Sequence, residues 1–390
     1  MDRRISLLGV CVLVLAGFLT GELLDIYRQG AIKIIPSAGF GQGNDWGSFF
    51  YKDDAELAVA PGGAIFVSFK SQHSVVKFSP PGKVVSRFGR KGLGPGDLYF
   101  PGNLSILDGK FLVIGEYPEY RTISLFDFTG KYVRKLKTRY PVFSPVALKN
   151  DKVAYLGISS LDKDKSMVRV VIKDTLTGDE KIVETVKIVD KSSFFIKGGF
   201  LIKFDNCIGE VFINRTGKGE LLVGVSDKPD IKIYSEKGES LRSFKLQLSP
   251  LPVTSAYIEK YKENFVKGSS YLANELNSVG FEQFFGKHLP YYREILVDEE
   301  GNILVFKWLD CGGECEPAFQ VYSAEEKYVC ESGLNLGPFE MNIDRRFKKL
   351  AFMRDGIFGL FGVKGSDDIS IKIVKVNLTH LSAFSHSNLL

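Results

Sequence analysis

Histidine is scarce in this 390-residue chain. His73, His288, His380 and His386 are the whole supply, and no two of them share the H-x-x-x-H or similar spacing of a metal-binding helix. No G-x-S-x-G elbow is present, and spacing alone assembles no Ser-His-Asp set. An excess of one charge is also missing: 51 Lys and Arg face 46 Asp and Glu, leaving a net +5 spread thinly. Mixed runs such as Asp162–Lys165 read as solvated loop, and no basic stripe carries interleaved aromatics, which argues against nucleic-acid binding. Cysteine is sparse, with five residues. Long helical periodicity is confined to one segment, which excludes an all-α fold.

One long apolar run does occur, from Ile5 to Leu19 behind Arg3 and Arg4. About 15 residues is the length of a signal-peptide core, whereas a spanning helix needs roughly 20. Residues 1–21 are therefore expected to be a signal peptide, cleaved after Ala16 or Gly21, with an uncleaved N-terminal anchor as the alternative. Lipidation at Cys11 is rejected because Val10 stands where a lipobox needs a small residue. Export puts the protein in the periplasm or outside the cell, or tethers it to the inner membrane if the segment stays. Membrane contact is expected only in that last case. In an oxidising compartment the Cys311-Gly-Gly-Glu-Cys315 loop can close a disulfide. Cys330 competes for either partner, and Cys207 stands alone.

What the chain has in abundance is glycine, 40 residues, and aromatics, with 31 Phe and 16 Tyr. Residues 34–50 and 84–100 repeat one phrase: a β-branched strand, a glycine-rich turn, then an aromatic opening the next strand. Six segments pair a small or polar turn with an apolar strand: Gly63–Phe69, Gly109–Gly115, Asp151–Gly157, Gly219–Val225, Gly301–Lys307 and Lys348–Arg354. Second hairpins turn at Gly82, Gly130, Gly178 and Gly238, the first three about 48 residues apart, the period of a propeller blade. The pattern predicts an all-β, six-bladed β-propeller of four-stranded antiparallel blades over residues 30–378. The orphan strand Ala31–Pro36 is expected to complete the last blade and close the ring, and residues 379–390 form a C-terminal tail. Between the fourth and fifth units, residues 254–286 place Tyr257, Ile258, Tyr261 and Phe265 at helical spacing, which predicts a small helical insertion.

Three stretches carry a family likeness: Phe88-Gly-Arg-Lys-Gly-Leu-Gly-Pro-Gly96-Asp, Phe126-Asp-Phe-Thr-Gly130-Lys and Tyr291-Tyr-Arg-Glu-Ile-Leu-Val-Asp-Glu-Glu-Gly301-Asn. On these the chain resembles the NHL-like group of bacterial six-bladed β-propellers. That resemblance covers nearly everything beyond residue 30 and implies an exported binding or scaffold module. It is specific for fold and weak for function, because the recurring residues belong to turns and core.

Gly92-Leu-Gly-Pro-Gly96 is not read as a phosphate loop, since Pro95 and Leu98-Tyr-Phe lead into a strand where such a loop opens a helix. Ligand groups in a propeller gather on loops between second and third strands. Here those loops carry Glu116, Tyr117, Glu119, Tyr120 and Arg121, then Asp227 and Asp230, then Trp308, Asp310 and Glu314. Aromatics among carboxylates suit a peptide, protein or glycan partner held by a monomeric, non-catalytic propeller with no cofactor. The alternative is a metal-dependent hydrolase or lactonase of the gluconolactonase type. That reading calls for a divalent cation such as Ca²⁺, with Glu116, Asp227 and Asp310 converging on it.

Overall fold

The computed structural model describes residues 22–34, 37, 40, 55–116, 121–162, 165–189, 193–195, 201–203, 209–266, 285–308, 316–337, 339–340, 350–354, 356–363 and 372–376. Helix α1 (Glu22–Arg28) leads into strand β1 (Ala31–Lys33). The first blade is β2 (Ala55–Val59), β3 (Ile65–Phe69), β4 (Ser74–Phe78) and β5 (Val84–Phe88). The second is β6 (Pro101–Leu107), β7 (Phe111–Glu116), β8 (Thr122–Asp127) and β9 (Tyr132–Lys137). The third is β10 (Val142–Ala147), β11 (Lys152–Asp162), β12 (Lys165–Asp174) and β13 (Glu180–Val189), followed by the hairpin β14 (Ser193–Phe195) and β15 (Leu201–Lys203). Next comes the fourth blade, β16 (Val211–Arg215), β17 (Leu221–Val225), β18 (Asp230–Tyr234) and β19 (Ser240–Lys245). Helix α2 (Ser255–Val266) precedes the fifth blade of β20 (Glu294–Val297), β21 (Ile303–Phe306), β22 (Ala318–Tyr322) and β23 (Tyr328–Asn335). The last sheet holds β24 (Phe339–Glu340), β25 (Leu350–Met353), β26 (Gly356–Val363) and β27 (Lys372–Val376).

Each blade pairs its four strands in chain order, all antiparallel, because every connection within it is a tight hairpin. The strands read as near-continuous apolar runs because both of their faces are buried. In β7, Leu112 and Ile114 pack toward the first blade while Val113 packs toward the third. Apolar clusters of this kind join each blade to the next, with Leu156 and Val170 meeting Leu221 and Val223, and Leu222 and Ile233 meeting Ile295 and Val305. Each such fully buried side chain contributes about 1.5–3 kcal/mol. At one joint the backbones themselves touch: a Cβ on Gly217 would lie 2.9 Å from the Cα of Gly301.

Two expectations change. The six four-stranded blades become five, since the last sheet centres on β26, which pairs with β24, β25 and β27 in place of a consecutive four-strand order. That sheet still packs on the fifth blade through Phe352 and Ile357 and on the first through Phe358. Second, the N-terminal strand does not complete the last sheet. β1 pairs parallel with β23, Ile32 opposite Leu334, as a fifth strand on the outer edge of the fifth blade. Ile32 and Ile34 thereby reach a cluster already built from Leu334, Leu336, Phe319 and Phe352, a larger apolar surface than short β24 presents. Among the described residues the longest strands are those of the third blade. Helix α2 stands at the expected place between the fourth and fifth blades, capped where Thr254 Oγ1 accepts from the amide of Tyr257 at 3.1 Å. The remainder of the insertion from 267 to 284 lies outside the described residues, as do the repeated phrase beyond residue 40, the N-terminal run and the C-terminal tail.

Candidate functional site

The antiparallel order puts every loop between second and third strands at one end of the molecule, together with every connection from blade to blade. The glycine-rich connection 89–100 belongs to this end. It runs from β5 to β6 with no helix, closed by the amide of Leu98 donating to Arg90 O and by Asp97 holding Arg90 Nε at 2.7 Å and the Gly94 amide at 3.0 Å. His73 sits beside it, 9 % exposed, its Nδ1 accepting from the Phe100 amide and its ring against Tyr99 and Phe100.

Among the loop residues expected to form a site, Glu116 is fully buried at the end of β7. Its carboxylate accepts from the Ser124 hydroxyl at 2.5 Å and the Tyr99 amide at 3.0 Å, and Lys135 Nζ lies 3.0 Å away. It ties three segments of the second blade and its entry loop together. Arg121 is exposed nearby, its Nη1 donating to Arg139 O at 3.4 Å. Asp227 and Asp230 are exposed on the fourth blade and act on the buried Tyr292 hydroxyl, which burial and these two charges push well above the ordinary tyrosine value. That hydroxyl has no hydrogen-bond partner among the described residues. Tyr117, Glu119, Tyr120, Asp310, Glu314 and the Cys311–Cys315 pair lie outside the described residues. Cys330 is unpaired among the described residues, half-buried against the α1 cluster, and burial raises its thiol.

Of the described residues expected to form a site, Trp308 lines a cleft, whereas Glu116, Arg121, Asp227 and Asp230 do not. Between β19 and the fifth blade opens a cleft of about 280 Å³, lined by Gln247, Leu248, Ser249, Leu251, Pro290, Tyr291, Lys307, Trp308, Gln320 and Glu331. Its position follows from two backbone links: the Tyr291 amide donates to Ser226 O at 2.7 Å, and Leu289 donates to Leu251 O at 2.8 Å. The polar wall is one network. Tyr322 Oη accepts from the Gln247 amide and donates to Gln320 Oε1, both at 2.7 Å, and Gln320 Nε2 donates to Gln247 O at 2.8 Å and Glu331 Oε1 at 3.2 Å. Lys307 Nζ closes it on Glu331 at 2.7 Å, which holds that carboxyl below its usual range, while burial lifts the Tyr322 hydroxyl to about 12.

Trp308 forms the other wall. Its Nε1–H is buried with no acceptor among the described residues, and Arg293 lies over its ring at 4.8 Å from the centroid. Burial draws Arg293 down to about 10, and Tyr257 of α2 acts in the opposite direction. Sequence reading singled out Trp308 from its loop but missed Gln247, Gln320 and Glu331. Gln320 and Glu331 lie within ordinary strands, Gln247 follows the end of β19, and none of them belongs to a motif.

Among the described residues no three of His, Cys, Asp and Glu converge as a metal site. No helix of the described residues is long and apolar enough to cross a membrane. No family model and no curated protein matches the chain. Solved structures of similar shape include a member of the DUF4221 family from Bacteroides vulgatus, at 10% identity over 89% of this chain and 100% of that one, TM-score 0.45. Another is a candidate exported protein from Bacteroides fragilis, at 13% identity, 87% and 86% coverage, TM-score 0.44. A third is a gluconolactonase from Xanthomonas campestris, at 9% identity, 84% and 87% coverage, TM-score 0.42.

Proposed function

We propose that the protein is an exported binding propeller that grips a peptide or glycan chain in the cleft between its fourth and fifth blades. The observation that carries this reading is Trp308, an aromatic wall whose indole N–H is buried without an acceptor among the described residues, beside a network of amide and carboxylate groups. An indole face and planar polar side chains are the groups that sugar rings and extended peptides engage. Size decides the mode of binding. About 280 Å³ is at the lower limit of small-molecule sites, ~300–1,000 Å³, so the cleft takes one ring or side chain of a longer partner and not a whole cofactor. Export rests on Arg3, Arg4 and the apolar run that follows them.

The lactonase alternative draws on Glu116, Asp227 and Asp310. Glu116 is committed to Lys135 and Ser124 inside the second blade, so no arrangement of described residues favours that reading. Glycan and peptide arrays probed with the mature chain test the proposal. The wild type is expected to mark a defined subset of spots, and Trp308→Ala to lose at least tenfold in signal with an unchanged melting temperature. Spots marked equally by both proteins would refute it.

A further inference from the structure

Main-chain groups on both sides of the cleft are already engaged within the fold. The Gln247 amide donates to Tyr322 Oη at 2.7 Å, and its carbonyl accepts from Gln320 Nε2 at 2.8 Å. Leu251 O accepts from the Leu289 amide, the Tyr291 amide donates to Ser226 O, and the Lys307 amide donates to Ala318 O. Pro290 has no N–H to give. An extended peptide docks by pairing its own backbone with an open ladder of such groups, and these residues do not offer one.

Charge is engaged as well. Lys307 Nζ lies 2.7 Å from Glu331, so the ion pair lining the cleft is neutral as a unit. An anion would have to draw Lys307 away, and a cation would have to displace it. Arg293 already lies over the Trp308 ring, so a ligand ammonium finds that face taken. What stays open is uncharged or accepts hydrogen bonds. Gln247, Ser249 and Tyr291 line the cleft, and their side chains make no hydrogen bond among the described residues. Glu331 is half exposed and gives one oxygen to Gln320 and the other to Lys307. A carboxylate accepts up to about four hydrogen bonds, so acceptor capacity remains. A proline-rich segment brings carbonyl acceptors and no N–H at its prolines, which leaves these acceptors unmatched. The ring hydroxyls of a sugar both donate and accept, and its C–H face packs on apolar surfaces such as Trp308 and Pro290.

We propose, on the reading that this cleft is the binding site, that its occupant is an uncharged hexose unit of a glycan, selected against acidic sugars by the Lys307–Glu331 pair. Arrays carrying neutral oligomers of glucose, galactose and mannose, uronate oligomers and proline-rich peptides, probed with the full mature chain, test the choice. The strongest spots are expected among the neutral oligomers, and Gln247→Leu, at an exposed side chain, should lower their signal about tenfold. In calorimetric titration the best neutral oligomer should keep its Kd within about twofold between roughly 50 and 500 mM salt, because no charge is there to screen. Glu331→Gln retains an acceptor for Gln320 but frees Lys307, and should raise the uronate signal about tenfold over wild type. Uronate or peptide spots as strong as the neutral ones, lost in Trp308→Ala, overturn the neutral-sugar assignment and leave the cleft as the site. Neutral signal unchanged in Gln247→Leu, or uronate signal unchanged in Glu331→Gln, also overturns it. Spots that survive Trp308→Ala, or no spots at all, overturn the assignment and the cleft together.

Discussion

Single residues decide how closely the blades approach. Gly130 has φ +89°, and a Cβ there would meet the Phe88 ring of the first blade at 2.6 Å. Gly130→Ala combines left-handed strain with overpacking and is expected to destabilise by about 2–4 kcal/mol, read as a lower denaturation midpoint in urea. Asp298 works in the opposite chemical direction. It accepts from the Asn302 amide at 2.8 Å, from Asn302 Nδ2 at 2.9 Å and from the Tyr27 hydroxyl at 3.0 Å, yet burial still pushes its carboxyl up to about 6. The unfolded chain gives up that proton near pH 4 and the folded chain only near 6, so ionisation favours unfolding across this window. Stability relative to Asp298→Asn should therefore fall by about 2–3 kcal/mol between pH 4 and 6 and stay level above. Parallel pH profiles of the two proteins would contradict the assignment. The turn glycines were legible in the sequence because positive φ leaves little choice of residue. Asp298 was not, because nothing in a Val-Asp-Glu-Glu run says which acid is buried.

Elements are held to one another by clamps that have no sequence signature. Arg242 on β19 donates to Glu220 at 2.9 and 2.7 Å and to Glu326 of the fifth blade at 2.9 and 3.0 Å. Glu326 adopts φ +63° at the turn where the other blades use glycine, and this double fork accounts for the exception. Arg242→Gln should cost about 1–2 kcal/mol, given its partial exposure, and a chemical denaturation curve measures it. A larger effect is expected at the N-terminus. Removing residues 1–34 strips Leu23, Tyr27, Ile32 and Ile34 from one cluster and uncovers the edge of β23. The loss is on the order of 5 kcal/mol, visible as a lower calorimetric melting temperature, whereas an unchanged value would mean that α1 and β1 do not dock. Blade type was readable from hairpin spacing because turn chemistry is local. Strand destination was not: β1 has the composition of any edge strand, and its partner is chosen by which apolar surface remains uncovered.

For the whole molecule, the propeller acts as a frame that carries its variable connections to one end and leaves the strands to pack. The fourth-to-fifth junction is the point in the chain where α2 enters and where Trp308, Tyr291 and the Gln247–Gln320–Glu331 network meet. Trp308 was legible as a loop residue at this end, since propeller topology dictates which turns share an end. Which blades cooperate was not, because that depends on how far β19 stands from β20 in space. The most direct test uses the scarcity of tryptophan, of which the chain has two, Trp46 and Trp308. In a Trp46→Phe protein the emission comes from Trp308 alone. Titration with the glycan or peptide that marks the arrays most strongly should shift or quench that emission along a saturable curve matching its binding isotherm. Emission unchanged at saturating ligand would place the partner elsewhere and contradict the cleft as the binding site.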